Sequence, residues 1–114
     1  MTGSISENDW KYLRSIQDEL LASLCKRIND ATLSMLHTDG KSEHARYLES
    51  FHHIKDSDGI IAECFNDWRR STIGQRLISL HRHRLLTQTH LQHLSERARD
   101  FVKWSETLAC RVSL

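Results

Sequence analysis

The residues best placed to do chemistry lie in two short stretches of a 114-residue chain. The first is Glu49-Ser50-Phe51-His52, with His53 and Asp56 close behind. A glutamate and a histidine three positions apart on a helix make one half of a carboxylate metal site. A di-metal centre needs a second Glu-x-x-His, and the chain has none. His90 and His93 share the spacing but fall in a short segment. His81 and His83, two apart, point to different sides of a helix. Cys25, Cys64 and Cys110 are widely separated and form no CxxC pair, so zinc lacks its usual ligand spacing. The expectation is a chain with no metal site and no cofactor. Its cysteines should be free thiols in a reducing, cytoplasmic setting.

The second stretch runs from Gly59 to Leu86. Its first half is apolar and aromatic, with Ile60, Ile61, Cys64, Phe65 and Trp68 at helical spacing. Its second half carries Arg69, Arg70, Arg76, Arg82 and Arg84, and no Asp or Glu occurs from Trp68 to Ser95. Arginine presents a planar fork of donors that suits carboxylates and phosphates. Trp68 and these five arginines are therefore the candidate partner-binding residues. Two partners fit. A protein is favoured, because tryptophan and arginine dominate interface energetics. Nucleic acid is the alternative. It is less well supported, since the arginines form no single stripe, no aromatics interleave with them after Trp68, and no helix-turn-helix signature precedes them.

The total charge of +1 names no partner, but its distribution is uneven. Residues 1–67 hold seven Lys and Arg against twelve Asp and Glu, a net of −5. Residues 68–114 hold nine against three, a net of +6. Such asymmetry implies an anionic partner or one half docking on the other. No glycine-rich phosphate loop, nucleophile elbow or redox pair is present, so binding is expected rather than catalysis. Asp58 is the acid expected to be buried, because it falls on the apolar side between Ile54 and Ile61. A carboxylate there would need an arginine or a helix N-terminus as partner.

The elements that position these groups are helical. The chain has no proline and four glycines, and good helix formers are plentiful. Residues 1–5 read as a frayed lead. Ser6 and Asp9 then form a capping-box pattern with Asp in place of Glu. A first helix follows from about Glu7 to His37, its inner side Leu13, Ile16, Leu20, Leu24, Ile28, Ala31 and Met35. Gly40 marks the turn. Ser42 caps a second helix whose apolar positions are Tyr47, Phe51, Ile54, Ile61, Phe65 and Trp68. Its register is the same on both sides of Asp58-Gly59, which argues for continuity there, and the pattern extends it to Arg84. Thr87 caps a short piece from Gln88 to His93. Ser95 precedes a last helix from Glu96 to Ala109, with Phe101, Val102, Trp104 and Leu108 inward.

The expected fold is thus all-α: an elongated antiparallel hairpin of two long helices with short C-terminal helices, in one domain covering 1–114. No apolar run approaches the length of a membrane span, and the N-terminus lacks a signal segment. The long stripes exceed what one hairpin can cover, so a homodimer of hairpins is expected.

Overall fold

A computed structural model describes the backbone of residues 5–113 and the side chains of residues 5–107. The described residues form five helices: α1 (Glu7–Leu36), α2 (Glu43–Phe65), α3 (Ile73–Arg82), α4 (Gln88–Gln92) and α5 (Glu96–Ser113). The chain is all-α and elongated, 52 × 35 × 24 Å. The two long helices, α1 and α2, pack together as a hairpin, and α3 packs on α2 and α5.

The first helix starts where its cap dictates. Ser6 Oγ accepts from the Asp9 amide at 3.1 Å, and an Asp9 carboxylate oxygen accepts from the Ser6 amide at 3.2 Å. Both N-terminal donors are thereby satisfied. Ile5, expected to be frayed, is buried and occupies the position from which a hydrophobic residue staples a helix entry. Ser42 caps α2 through the Ala45 amide, and Thr87 caps α4 through the His90 amide.

The second helix passes through Asp58-Gly59 without a break, as its register implies. It does not continue to Arg84. It stops at Phe65, Asn66 turns extended, and Asp67 adopts a left-handed conformation with φ 59°. Aspartate tolerates that conformation better than most residues. Thr72 Oγ holds the turn by bonding the Asp67 carbonyl and accepting from the Arg69 amide. The stop uses neither glycine nor proline, so it lacks the usual punctuation.

The core gathers at one end of the hairpin. Leu13, Ile16, Leu20 and Leu24 of α1 meet Cys64, then Ile73, Leu77 and Leu80 of α3, and Ala98 and Val102 of α5. Beyond Leu24, α1 fully buries no side chain. On α2 the buried positions are Ser50, Ser57 and Cys64, seven residues apart. Small residues thus form the seam against α1, while Tyr47, Phe51 and Ile54 lie on the flank. This rotation corrects the expected burial of Asp58. One position past Ser57 is 100° around the helix, and Asp58 is exposed. The buried acid is Asp9, with 2% of its surface exposed. Trp104, expected inward, stacks on Phe101 but is 58% exposed. Leu108 and Cys110 lie outside the described side chains.

The last turn of α3 carries a Schellman motif. The Leu85 amide donates to the Leu80 carbonyl at 2.9 Å, and the Arg84 amide to that of His81 at 3.0 Å. Leu80 and Leu85 are both buried, completing the motif's apolar contact. Its left-handed position is Arg84, at φ 58°. Glycine normally occupies that place. Arg84→Gly is therefore expected to raise stability by about 1 kcal/mol, read as a higher denaturant midpoint with an unchanged slope.

Candidate interaction surfaces

Two surfaces stand out, an apolar flank and a basic block. The apolar flank lies toward the turn end of the hairpin. Leu33 and Leu36 of α1 and Tyr47, Leu48, Phe51 and Ile54 of α2 are all exposed, Tyr47 by 61%. Between them runs a groove of about 390 Å³, lined by Leu36, Glu43, Arg46, Tyr47, Ser50, Phe51 and Ile54. Tyr47 and Phe51 stack at 6.4 Å along its edge, and His44 stacks on Tyr47. The buried Ser50 hydroxyl in its lining has no hydrogen-bond partner among the described residues. Six large apolar side chains at these exposures present on the order of 500 Å² of apolar surface, the scale that marks interaction sites on soluble proteins.

The basic block is largely occupied inside the chain. Arg70 donates through Nη2 to the Ile5 carbonyl at 2.6 Å, with Glu7 at 3.6 Å. Arg76 donates through Nη1 to the Asn66 carbonyl at 3.0 Å, closing the α2–α3 turn. Arg82 pairs with Glu63, whose carboxylate also meets His83 Nε2 at 3.0 Å. Burial would raise the Glu63 carboxyl, but hydrogen bonds from Arg82 and His83 outweigh it and hold it below its ordinary value. Arg69 pairs with its neighbour Asp67. Trp68 is half-buried, stacked on Phe65 at 6.0 Å, and donates Nε1–H to the Cys64 carbonyl at 2.7 Å. The Arg84 guanidinium has no ionic or hydrogen-bond partner among the described residues, and Arg27 instead bonds the His83 and Arg84 carbonyls. Arg69, Arg70 and Arg82 of the basic half thus meet Asp67, Glu7 and Glu63 of the acidic half within one chain.

These placements separate the arginines. Arg70→Ala and Arg76→Ala each withdraw a partner from a carbonyl in a part-buried contact or turn, and each is expected to cost about 1–2 kcal/mol. Arg69→Ala and Arg82→Ala remove largely exposed pairs and should change stability by less than about 1 kcal/mol. Urea denaturation of the four variants checks the order.

Two further histidines each meet one carboxylate. His81 Nε2 meets Glu106 at 3.2 Å, and His90 Nε2 meets Glu19 at 2.7 Å. His90 Nδ1 accepts from the Thr87 amide, so Nε2 carries the proton donated to Glu19. That capping role, with histidine where Glu or Gln is usual, went unread in the sequence because the pattern is written for those two residues. Glu49, His52, His53 and Asp56 do line one shallow concavity, with Met35, Thr38 and Lys41. Lys41 Nζ takes both Glu49 oxygens at 2.7 Å. Among the described residues no three of His, Cys, Asp and Glu converge as a metal would require.

The thiols differ sharply. Burial, with a contribution from Glu63, pushes Cys64 up to about 11, whereas Cys25 is partly exposed. A thiol reacts as the thiolate. Iodoacetamide at pH 8 is therefore expected to label Cys25 in the native protein and Cys64 only after denaturation, read by peptide mass spectrometry.

Among the described residues no helix is long and apolar enough to cross a membrane. The chain matches no protein-family model, no curated protein and no solved structure.

Proposed function

We propose that the protein is a non-enzymatic, cytoplasmic protein-interaction module that docks a protein through the apolar flank toward the turn end of the α1–α2 hairpin. One observation carries this reading. Tyr47, Leu48, Phe51 and Ile54 are exposed on one side of α2, and Leu33 and Leu36 are exposed on α1 across the turn. Water-facing apolar surface of that size is unfavourable unless something covers it. Aromatic anchors on a regular helix also bind with little loss of conformational freedom. The expected aromatic and arginine surface is thereby divided: the aromatic part moves toward the N-terminal half of α2, while Arg70 and Arg76 bond backbone carbonyls and Arg69, Arg82 and Arg84 stay exposed.

Nucleic acid is the second reading, and Arg84 supports it. Its backbone holds a conformation that costs stability, and its side chain is exposed. Strain of that kind concentrates at functional positions. One experiment addresses both readings. Tagged protein is used to capture partners from lysate with and without nuclease, alongside Phe51→Glu and Arg84→Ala. A stoichiometric protein lost only with Phe51→Glu is the expected result. Recovery that disappears with nuclease and with Arg84→Ala would favour nucleic acid. Recovery unaffected by Phe51→Glu would remove the docking role of the flank.

A further inference from the structure

We infer that the occupant of the apolar flank is a second copy of this chain, with the two α2 helices lying antiparallel about a two-fold axis at Phe51. The inference rests on the docking role proposed above and names the partner. The helix wheel supplies the argument. At 100° per residue, His44, Tyr47, Leu48, Ile54, Lys55 and Asp58 all fall within about 60° of the direction of Phe51. His44, Lys55 and Asp58 are the ionisable residues on that face, and none has an ionic partner among the described residues.

Their positions are self-complementary. His44 precedes Phe51 by seven residues and Asp58 follows it by seven. In an antiparallel pair centred on Phe51, each His44 meets the other copy's Asp58. Tyr47 and Lys55, four residues to either side, oppose one another, as do Leu48 and Ile54, three to either side. The contact is aromatic at the axis, aliphatic beside it, and sets an imidazole against a carboxylate at both ends. A parallel pair in the same register sets Asp58 against Asp58 and Lys55 against Lys55, which is repulsive. An unrelated partner would require no such symmetry about Phe51. A two-fold contact requires it, because every residue must face its own mirror position.

Size and placement agree. The exposed Tyr47, Leu48, Phe51 and Ile54 of this face, on the order of 400 Å² of apolar surface, with the His44, Lys55 and Asp58 side chains around them, supply much of the roughly 800 Å² per partner of a stable interface. Two hairpins joined this way form a four-helix bundle along the segments of α1 and α2 that bury no large side chain in one chain alone.

The test uses the full chain and light scattering at micromolar concentration. The wild type is expected at twice 13.3 kDa and Phe51→Glu at the single mass, with the same helical circular dichroism because Phe51 lies on the surface. Asp58→Lys is expected to weaken the dimer roughly tenfold or more, and adding His44→Glu to restore it. Phe51→Cys should form a disulfide between copies on oxidation. A wild type that is monomeric throughout the micromolar range overturns the second copy, as does a dimer insensitive to Phe51→Glu. In either case the docking role is judged separately, by the lysate capture. A dimer that Phe51→Glu breaks but His44→Glu does not restore in Asp58→Lys overturns the register.

Discussion

Asp9→Ala is expected to cost about 3 kcal/mol of stability, roughly 12 °C in melting temperature for a chain of this size. The buried Asp9 carboxylate joins both ends of the fold. One oxygen accepts from the Ser95 amide at 2.8 Å; the other accepts from Ser95 Oγ at 2.7 Å and from the Ser6 amide. Ser95 Oγ in turn accepts from the Ala98 amide, so the first turns of α1 and α5 share one anion. Alanine would leave these donors without an acceptor in a dry site. Asp9→Asn keeps one acceptor but turns an amide toward donors, and should cost nearly as much. Ser95→Ala should cost about 1 kcal/mol, the usual value of a cap.

The pH dependence has a definite sign. Burial alone would raise the Asp9 carboxyl, but the bonds from Ser95 and Ser6 outweigh it and hold it below its ordinary 3.8. A carboxyl depressed in the folded state contributes stability above its unfolded value and loses it as pH falls through the folded one. Wild-type stability should therefore decline below about pH 4, and Asp9→Ala should flatten that part of the curve. Urea midpoints across acidic pH check it. An equally steep decline in the variant would place the acid sensitivity elsewhere.

Leu77→Ala is expected to cost about 3 kcal/mol, while Ile54→Ala in the isolated chain costs under about 1 kcal/mol. Both lie on apolar stripes of the sequence. Leu77 is 0% exposed at the centre of α3, within the core cluster, whereas Ile54 is 51% exposed on the flank. Truncating Leu77 removes buried methyl groups and leaves a cavity that close-packed neighbours fill only in part. Truncating Ile54 removes surface that already faces water. Thermal melts at low concentration isolate this difference. At high concentration Ile54→Ala should lose additional stability if the flank is covered by another copy, because association stabilises by mass action. Equal effects of the two substitutions would contradict the placement of the core.

The contrast also shows what was legible in the sequence. The capping residues Ser6, Ser42 and Thr87 were readable because a side-chain oxygen ahead of an apolar period has a specific task. The register Leu13, Ile16, Leu20 and Leu24 was readable because α1 meets the core on one narrow face. On the second stripe the same method held for Ile61, Phe65 and Trp68, which pack against the core, and not for Tyr47, Phe51 and Ile54, which are exposed. In that N-terminal part of α2 the large side chains mark the flank while Ser50 is buried, and periodicity of apolar residues cannot tell an interior from an interface. The stop at Asn66–Asp67 was hidden because aspartate can supply a left-handed turn without announcing it. The apolar register between Ile54 and Ile61 points to Asp58 as the buried acid, whereas Asp9 shows in the sequence only its cap. Its second partner, Ser95, is 86 positions away, and no local pattern reaches that far.

The serine seam has a consequence for how the molecule breathes. Ser50 and Ser57 are the positions α2 buries there, and α1 fully buries no side chain beyond Leu24, so few large apolar groups hold that part of the hairpin together. Local opening needs only the free energy of the contacts it breaks. The amides from about Ile28 to Ile54 should therefore exchange with deuterated solvent well before the global unfolding limit. Those of Leu77, Leu80 and Val102 should exchange only through it. The hairpin tip is thus a region whose order is set by what lies on it. A covering partner would be visible first as slowed exchange on α2, around Tyr47 to Asp58, with the core amides unchanged.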